Sequence, residues 1–91
     1  MAMFSIKYRR INFLILSVLQ EEYPSWVDNV VIRGLLTMRG YDLEREELER
    51  QLSYLEEKGF AKVMRPAENI AHSQITAAGL DKLEELEGEI L

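Results

Sequence analysis

The stretch EREELERQLSYLEEKGF, residues 44–60, decides how the rest of the chain is interpreted. Its leucines recur at the spacing of one helical face, and Gly59 follows the last turn, where a glycine commonly ends a helix. The leucines of this face are Leu48, Leu52 and Leu55. We predict a helix from about Glu44 to Lys58 that packs these leucines into a small core. Four of the first six residues of the stretch are glutamate, which raises the question of what the outer face of the helix binds.

Two helices are predicted before this stretch. The first runs from about 9 to 22 and is apolar almost all round, so it lies at the centre of the core or is shared with a partner subunit. The segment YPS ends it, and Ser25 with Asp28 resembles a capping box. A second helix is therefore predicted to start near Trp26 and to end at Gly40. The apolar positions of this helix are Val27, Val30, Val31, Gly34, Leu35 and Met38.

A hairpin and a last helix are predicted after residue 59. FAKVMR and IAHSQI have the composition of strands, and the turn residues PAEN separate them. Thr76 is expected to cap the helix that follows. At the other end of the chain, FSIKY alternates apolar and polar residues, which predicts a short extended arm. The predicted fold is mainly α with a small β-hairpin (α+β), with an arm over 1–8 and one domain over 9–91 in the order helix, helix, helix, hairpin, helix.

Composition limits the class of protein. Ninety-one residues make one domain, and 47% hydrophobic with 30% charged residues is typical of a soluble globular protein. The chain has no cysteine, so it has neither a disulfide nor a thiolate metal site. Basic residues precede the first apolar run as in a signal peptide, but no small-residue cleavage site follows. The run is also shorter than the ~20 residues of a membrane span, so we expect a cytoplasmic protein that does not bind membranes.

The sequence contains no recognisable catalytic constellation. His72, the only histidine, has no neighbouring residues at metal-ligand spacing and is interpreted as a strand residue. The serines lack a nucleophile motif, and no glycine-rich phosphate loop occurs. We therefore expect no enzyme activity, no metal and no cofactor.

The segments LSYLEEKGFAKV and ITAAGLDKLEE resemble the winged helix-turn-helix fold of bacterial and phage proteins of the ArsR, MarR and PadR types. The typical signature of that family is a leucine-rich third helix ending in Lys-Gly and an apolar residue, a two-stranded wing, and a Thr-x-x-Gly start to the last helix. The matching residues are Leu52, Leu55, Glu56, Glu57, Lys58, Gly59, Phe60, Ile75, Thr76 and Gly79. The resemblance covers roughly residues 9–88, and the chain is more loosely similar to short winged-helix proteins of Mu-like prophages.

The resemblance implies a transcriptional regulator, possibly of prophage origin, that binds double-stranded DNA with the third helix in the major groove. The glutamates at the start of this helix oppose that role, because most affinity for DNA comes from neutralising phosphates. The remaining candidate DNA contacts are positive or polar and lie on the third helix, the predicted wing and the arm. They are Arg45, Arg50, Gln51, Tyr54, Lys62, Arg65, Lys7, Arg9 and Arg10. DNA binding mainly through the wing and the basic arm is the first hypothesis.

The glutamates have two other interpretations. Acidic residues in a first turn stabilise a helix through its dipole, by ~0.3–1 kcal/mol each, so the run can be a solvated face. Alternatively, the domain is an interaction module without DNA binding that meets a basic protein through its acidic third helix. The candidate partner-binding residues are Glu46, Glu47 and Glu49.

The apolar residues of the two termini exceed what a three-helix core would absorb. The resemblance implies dimerisation through terminal helices, so we expect a homodimer, with a well-filled monomer as the alternative. The candidate interface residues are Phe4, Ile6, Tyr8, Phe13, Leu83, Leu86 and Ile90. Trp26, after the YPS break, is expected to be a further exposed anchor.

Overall fold

The chain folds into four helices and a three-stranded antiparallel sheet, as described over residues 6–90 by a computed structural model. The elements in chain order are α1 Ile6–Glu22, β1 Val27–Asp28, α2 Asn29–Met38, α3 Arg45–Glu57, β2 Ala61–Ala67, β3 Ile70–Ile75 and α4 Ala77–Ile90. A mainly helical α+β fold with the predicted helices and hairpin is therefore confirmed. The strand order in the sheet is β1-β3-β2.

Helix α1 begins earlier than predicted. Residues 6–8 were expected in an extended arm, but they form the first turn of the helix. Tyr8 lies three and seven residues before Ile11 and Ile15, so it belongs to the same helical face and packs against the core. A short period-two alternation cannot outweigh that longer pattern, and the extended interpretation is wrong for these residues. Phe4, the other residue on which it rested, lies outside the described residues.

Strand β1 was missed, and the start of α2 was predicted too early. Val27 and Asp28 pair with Ser73 and His72 of β3, so the chain is extended where a helix was expected. Helix α2 begins only at Asn29, because Asp28 is its N-cap and accepts a hydrogen bond from the Val30 amide at 2.8 Å. Asp28 therefore serves as the cap itself and is not the third residue of a capping box.

The core is built around α1, as one of the two alternatives for this helix required. Its buried residues are Ile11, Ile15, Leu16 and Leu19. The three predicted leucines of α3 are buried against them, together with Leu83 and Leu86 of α4. Leu83 and Leu86 are only 2% and 4% exposed, so the expectation that they form a dimer interface is wrong. They fill the core of the single chain.

Helix α2 presents an apolar face to the outside. It buries Ile32 and Leu36, whereas most of the apolar positions read from the sequence point away from the core. Val30 is 68% exposed and Met38 is 79% exposed. Asn29 takes a buried place instead, because its side chain accepts from the Ala71 amide at 3.1 Å and so joins α2 to β3.

Two glycines make the junction between α3, the hairpin and α4 possible. Gly59 has φ of 80°, the left-handed conformation that ends α3 as predicted. Thr76 accepts a hydrogen bond from the Gly79 amide at 3.0 Å, which confirms the predicted cap of α4. A Cβ at Gly79 would collide with the carbonyl oxygen of Phe60, so only glycine allows α4 to pack this closely.

Candidate functional site

Helix α3 separates two concave surfaces. On one side it faces the β2–β3 hairpin, and on the other it forms a groove with α1 and α4. Arg50 lines both, because it lies on the exposed ridge of the helix between them. Nearly all the predicted site residues of α3 border one of these two surfaces, so we describe them separately.

The hairpin side is dominated by an arginine that the acidic helix binds. Arg65 of β2 donates to Glu49 through Nη2 at 2.6 Å and through Nε at 2.9 Å, and its Nη1 donates to Glu56 at 3.1 Å. Ser53 completes the cluster by accepting from Arg65 Nη2 at 3.2 Å. The hydrogen bonding that Arg65 donates to Glu49 is the main cause that raises the pKa of the guanidinium above its ordinary value. We call Arg65, Glu49, Ser53 and Glu56 the Arg65 cluster.

The cleft beside the Arg65 cluster carries balanced charge. It measures about 720 Å³ and lies between the amino-terminal half of α3 and the hairpin turn. Its charged lining residues are Arg45, Arg50, Arg65, Glu46, Glu49 and Glu68. Cations and carboxylates are thus equal in number, and the cleft offers no net attraction to a phosphate backbone.

The groove between α1, α3 and α4 has the opposite character, and we call it the cationic groove. It measures about 760 Å³, and its charged lining residues are Arg9, Arg50, Lys58 and Lys82. Among the residues of 6–90 that line it there is no aspartate or glutamate, although acidic groups outnumber basic ones in the whole chain. The other side chains that line its walls are Tyr8, Tyr54, Phe60, Asn12 and Gln51. Leucines of the core close its floor.

The four cations of the groove differ in their partners. Arg9 is ion-paired with Glu89, and Lys82 with Glu85 at 2.9 Å, both at the α4 side. Arg50 and Lys58 form no ion pair with any residue of the described part of the chain. The Nζ of Lys58 lies 5.8 Å from the centroid of the Tyr54 ring. The groove therefore keeps uncompensated positive charge on its α3 wall.

Tyr8 ties the amino-terminal end of α1 to α3 at the edge of the groove. Its hydroxyl donates to Glu47 at 2.8 Å, and this hydrogen bond is the main cause that raises the pKa of the phenol. Lys7 lies 3.9 Å from the same carboxylate. Glu47, a predicted partner-binding residue, is therefore half-buried and engaged within the chain.

The structure brings together only some of the predicted site residues. Those that line the cationic groove are the candidate DNA contacts Arg9, Arg50, Gln51 and Tyr54 and the candidate dimer residue Tyr8. Lys62 lies on the exposed outer surface of β2, and Lys7 and Arg10 are exposed on α1 outside both concave surfaces. Of the predicted dimer residues, Ile6 is 64% exposed, and Tyr8 and Phe13 are half-buried. The side chain of Ile90 lies outside the described residues, and Trp26 is half-buried, not a fully exposed anchor.

Sequence reasoning missed the residues that complete the groove. Lys58 follows Arg50 and Tyr54 at successive intervals of four residues, so a helical projection of α3 would have found it on the same face. Lys82, Phe60 and Asn12 come from other elements, and no local spacing points to them. His72 lies in β3, as predicted, and is half-buried.

Comparisons of the chain with known proteins find no matching family model, no matching curated protein and no matching solved structure. Within residues 6–90, no helix is long and apolar enough to cross a membrane. The same residues contain no group of three His, Asp or Glu side chains placed to hold a metal ion.

Proposed function

We propose that the chain is a winged-helix protein that binds a basic protein partner through the outer carboxylates of α3. The observation that carries this proposal is the engagement of Arg65. In a winged helix this hairpin arginine is the cation best placed to follow a DNA groove, but here Glu49 and Glu56 bind it within the chain. The acidic face of α3 thus already binds one guanidinium, and charge-assisted hydrogen bonds of this kind are strong.

Carboxylates that lie outside the Arg65 cluster offer the same chemistry to another chain. Glu44, Glu46 and Glu57 are exposed at the two ends of α3, and the nearest cation to Glu46 is Arg45 at 3.9 Å. A DNA backbone would meet these groups with repulsion, whereas arginine or lysine side chains of a protein would neutralise them. This charge arrangement favours a basic protein over a nucleic acid as the partner of α3.

The exposed face of α2 supports the same conclusion. Its apolar residues are Val30, Val31, Leu35 and Met38. A contiguous apolar strip on one helix is typical of surfaces that become buried in protein interfaces, and phosphates gain nothing from it. The expected partner therefore combines basic residues with apolar ones.

A homodimer also remains a proposal, on a smaller surface than the sequence indicated. With Leu83 and Leu86 buried in the core, the exposed apolar residues left at the end of α1 are Ile6 and the edge of Phe13. We expect Ile6→Glu to dissociate such a dimer. Light scattering at micromolar concentration that finds 10.6 kDa for the unchanged chain contradicts dimerisation.

Transcriptional regulation through DNA binding, with a possible prophage origin, is the second candidate. Arg10 and Lys62 favour it, because both are exposed and form no ion pair among residues 6–90. Two copies in a dimer would double these contacts and could give moderate, strongly salt-dependent binding. In this case the contacts come from α1 and the outer surface of the hairpin, not from α3.

The first experiment compares charge reversal at two matched sites. One variant carries Glu44→Lys and Glu46→Lys on α3, and its control carries Glu84→Lys and Glu87→Lys on the exposed surface of α4. Both change the net charge equally, and circular dichroism verifies that each folds. We expect cross-linking in the native host to recover one partner with the unchanged chain and with the α4 control, and to lose it with the α3 variant.

A parallel measurement separates the two candidates. Fluorescence anisotropy with labelled duplex DNA is recorded at ~50 and ~200 mM salt, where phosphate-dominated binding weakens by about tenfold or more. We expect no such binding. Salt-dependent binding that Lys62→Glu removes would establish the second candidate, and a partner that both charge reversals retain would overturn the first.

A further inference from the structure

The cationic groove combines three kinds of side chain that no proposal above uses. Arg50 and Lys58 supply positive charge without a carboxylate partner among residues 6–90. Tyr54 stands between them on α3 with an exposed ring. A chain with net charge −5 repels anions in general. The cationic groove reverses this locally, because within residues 6–90 four cations and no carboxylate line it.

The two cations without partners define the dimensions of the site. They are separated by eight residues of α3, which corresponds to about 12 Å along the helix axis. Arg9 and Lys82 stand on the opposite wall, and each is balanced by one carboxylate of α4. A single small anion would meet only one end of the α3 wall, whereas an elongated anion with several charges would reach both ends.

The walls offer flat apolar surface and amide groups between the charges. The rings of Tyr8, Tyr54 and Phe60 line the groove, and aromatic side chains of this kind stack on nucleobases. Asn12 and Gln51 add side-chain amides, which hydrogen-bond base edges. The Oδ1 atom of Asn12 is itself buried and accepts no hydrogen bond from the described residues, so it is not part of the surface that a ligand would contact.

We propose that the cationic groove binds a nucleoside phosphate. The phosphates contact Arg50 and Lys58, and the base stacks against Tyr54. This ligand class is the one that uses all three features together. An inorganic anion would leave the rings and the amides without partners, and an uncharged aromatic compound would leave the cations without one. A free nucleotide and one nucleotide of a single strand share this chemistry. The site does not depend on the partner proposed for the acidic face of α3.

The test uses isothermal titration calorimetry on the full chain with four probes. These are ATP, adenosine, inorganic tripolyphosphate and a short single-stranded oligonucleotide. We expect ATP to bind at least about tenfold more tightly than either adenosine or tripolyphosphate, because each of these lacks one of the two recognised parts. If the oligonucleotide binds more tightly than ATP, the nucleotide belongs to a strand, and the reverse order identifies a free nucleotide.

Variants locate the binding. Arg50→Glu and Lys58→Glu should each weaken ATP binding by at least about tenfold, whereas Arg39→Glu, which makes the same charge change outside the groove, should leave it nearly unchanged. Tyr54→Leu keeps apolar volume but removes the ring, so it should weaken ATP and leave tripolyphosphate unaffected.

Three results would overturn the proposal. They are equal affinity for ATP and tripolyphosphate, equal loss in Arg39→Glu and in the two groove variants, and no binding of ATP or the oligonucleotide at millimolar concentration. Nuclear magnetic resonance of the backbone amides of α3 gives a second readout that does not depend on a variant's stability.

Discussion

The two sides of α3 treat the same type of side chain in opposite ways. On the hairpin side, Arg65 is held by two glutamates of the helix, so its charge is compensated within the chain. On the groove side, Arg50 is four residues from Glu46 and one from Glu49, yet it forms an ion pair with neither. The difference arises because tertiary packing brings the hairpin arginine to Glu49 and Glu56, whereas Glu49 and Arg50 are consecutive residues of one helix and do not face each other.

This contrast shows why the net charge of a helix is a poor guide to what it binds. Helix α3 is strongly acidic in sequence, but one of its faces borders a groove that no carboxylate of the described residues lines. The acidic and the basic surfaces lie on two sides of the same helix, and Arg50 borders both. An acidic partner and a basic partner could therefore contact the same helix on different sides.

The largest effect is expected at the floor of the groove, where Leu86 belongs both to the groove and to the core. Leu86→Ala should lower the free energy of unfolding by about 2–5 kcal/mol, because it leaves a cavity in a packed interior. Urea denaturation monitored by circular dichroism measures this. The loss should be independent of protein concentration, since the side chain is 4% exposed in the single chain. A loss that disappears on dilution would return Leu86 to a dimer interface.

A second large effect is expected at Gly79, where α4 packs against Phe60 in the connection between α3 and β2. Gly79→Ala should destabilise the fold by about 1–3 kcal/mol, because the new methyl group forces α4 away from the Phe60 carbonyl and overpacks the junction. Gly88→Ala in the same helix is the control, since nothing lies within 4 Å of its added Cβ. That substitution should stabilise the chain by about 0.5–1 kcal/mol. Thermal unfolding of both variants gives the comparison, and equal melting temperatures would contradict the close packing.

The sequence predicted those parts of the fold that local patterns control. The leucine spacing of α3, the glycine after it and the cap at Thr76 all depend on neighbours within a few residues, and these predictions are confirmed. Strand β1 was missed because two residues carry no periodicity, and they are extended only through pairing with β3. In α2 the buried face consists of Ile32 and Leu36 together with Asn29, which bonds to β3, and the valines that the prediction relied on lie outside it.

The candidate site was predictable mainly in its α3 residues, with Arg9 of α1 beside them. Arg50, Gln51 and Tyr54 were identified from their outward positions, and the groove contains all three. No property of the sequence around Arg65 indicated that Glu49 and Glu56 would bind it, since the contacts span sixteen and nine residues. Whether a cation is paired with a carboxylate of another element depends on their distance in the folded chain. Counting cations in the sequence therefore overestimated the number of hairpin cations that are free to contact DNA.

A smaller effect should distinguish the arginines on the two sides of α3. Arg65→Met removes an ion pair with Glu49 whose side chains are each more than one third exposed, so the loss should stay below about 1 kcal/mol and shrink in high salt. Arg50→Met, which removes no ion pair among the described residues, should change stability less. Urea denaturation at low and high salt measures both. Equal and salt-independent losses would mean that the Arg65 cluster does not contribute to stability.

The smallest effect concerns pH and the bond between Tyr8 and Glu47. Because this hydrogen bond raises the pKa of the phenol above 10.0, the folded chain holds the Tyr8 proton more tightly than the unfolded chain does. The bond therefore contributes stability that is fully present below about pH 10 and is lost as pH rises through the raised pKa. Denaturation of the unchanged chain and of Tyr8→Phe should differ by a constant amount up to about pH 10, and the difference should then close. The remaining tyrosines are common to both proteins, so they cancel in the comparison.

Glu47→Gln keeps an acceptor but removes the negative charge, so the Tyr8 pKa should fall towards its ordinary value. Arg50→Met should raise it further, because Arg50 is the nearby cation that opposes the effect of Glu47. A Tyr8 pKa that does not respond to Arg50→Met would contradict an electrostatic effect of Arg50 on this edge of the groove.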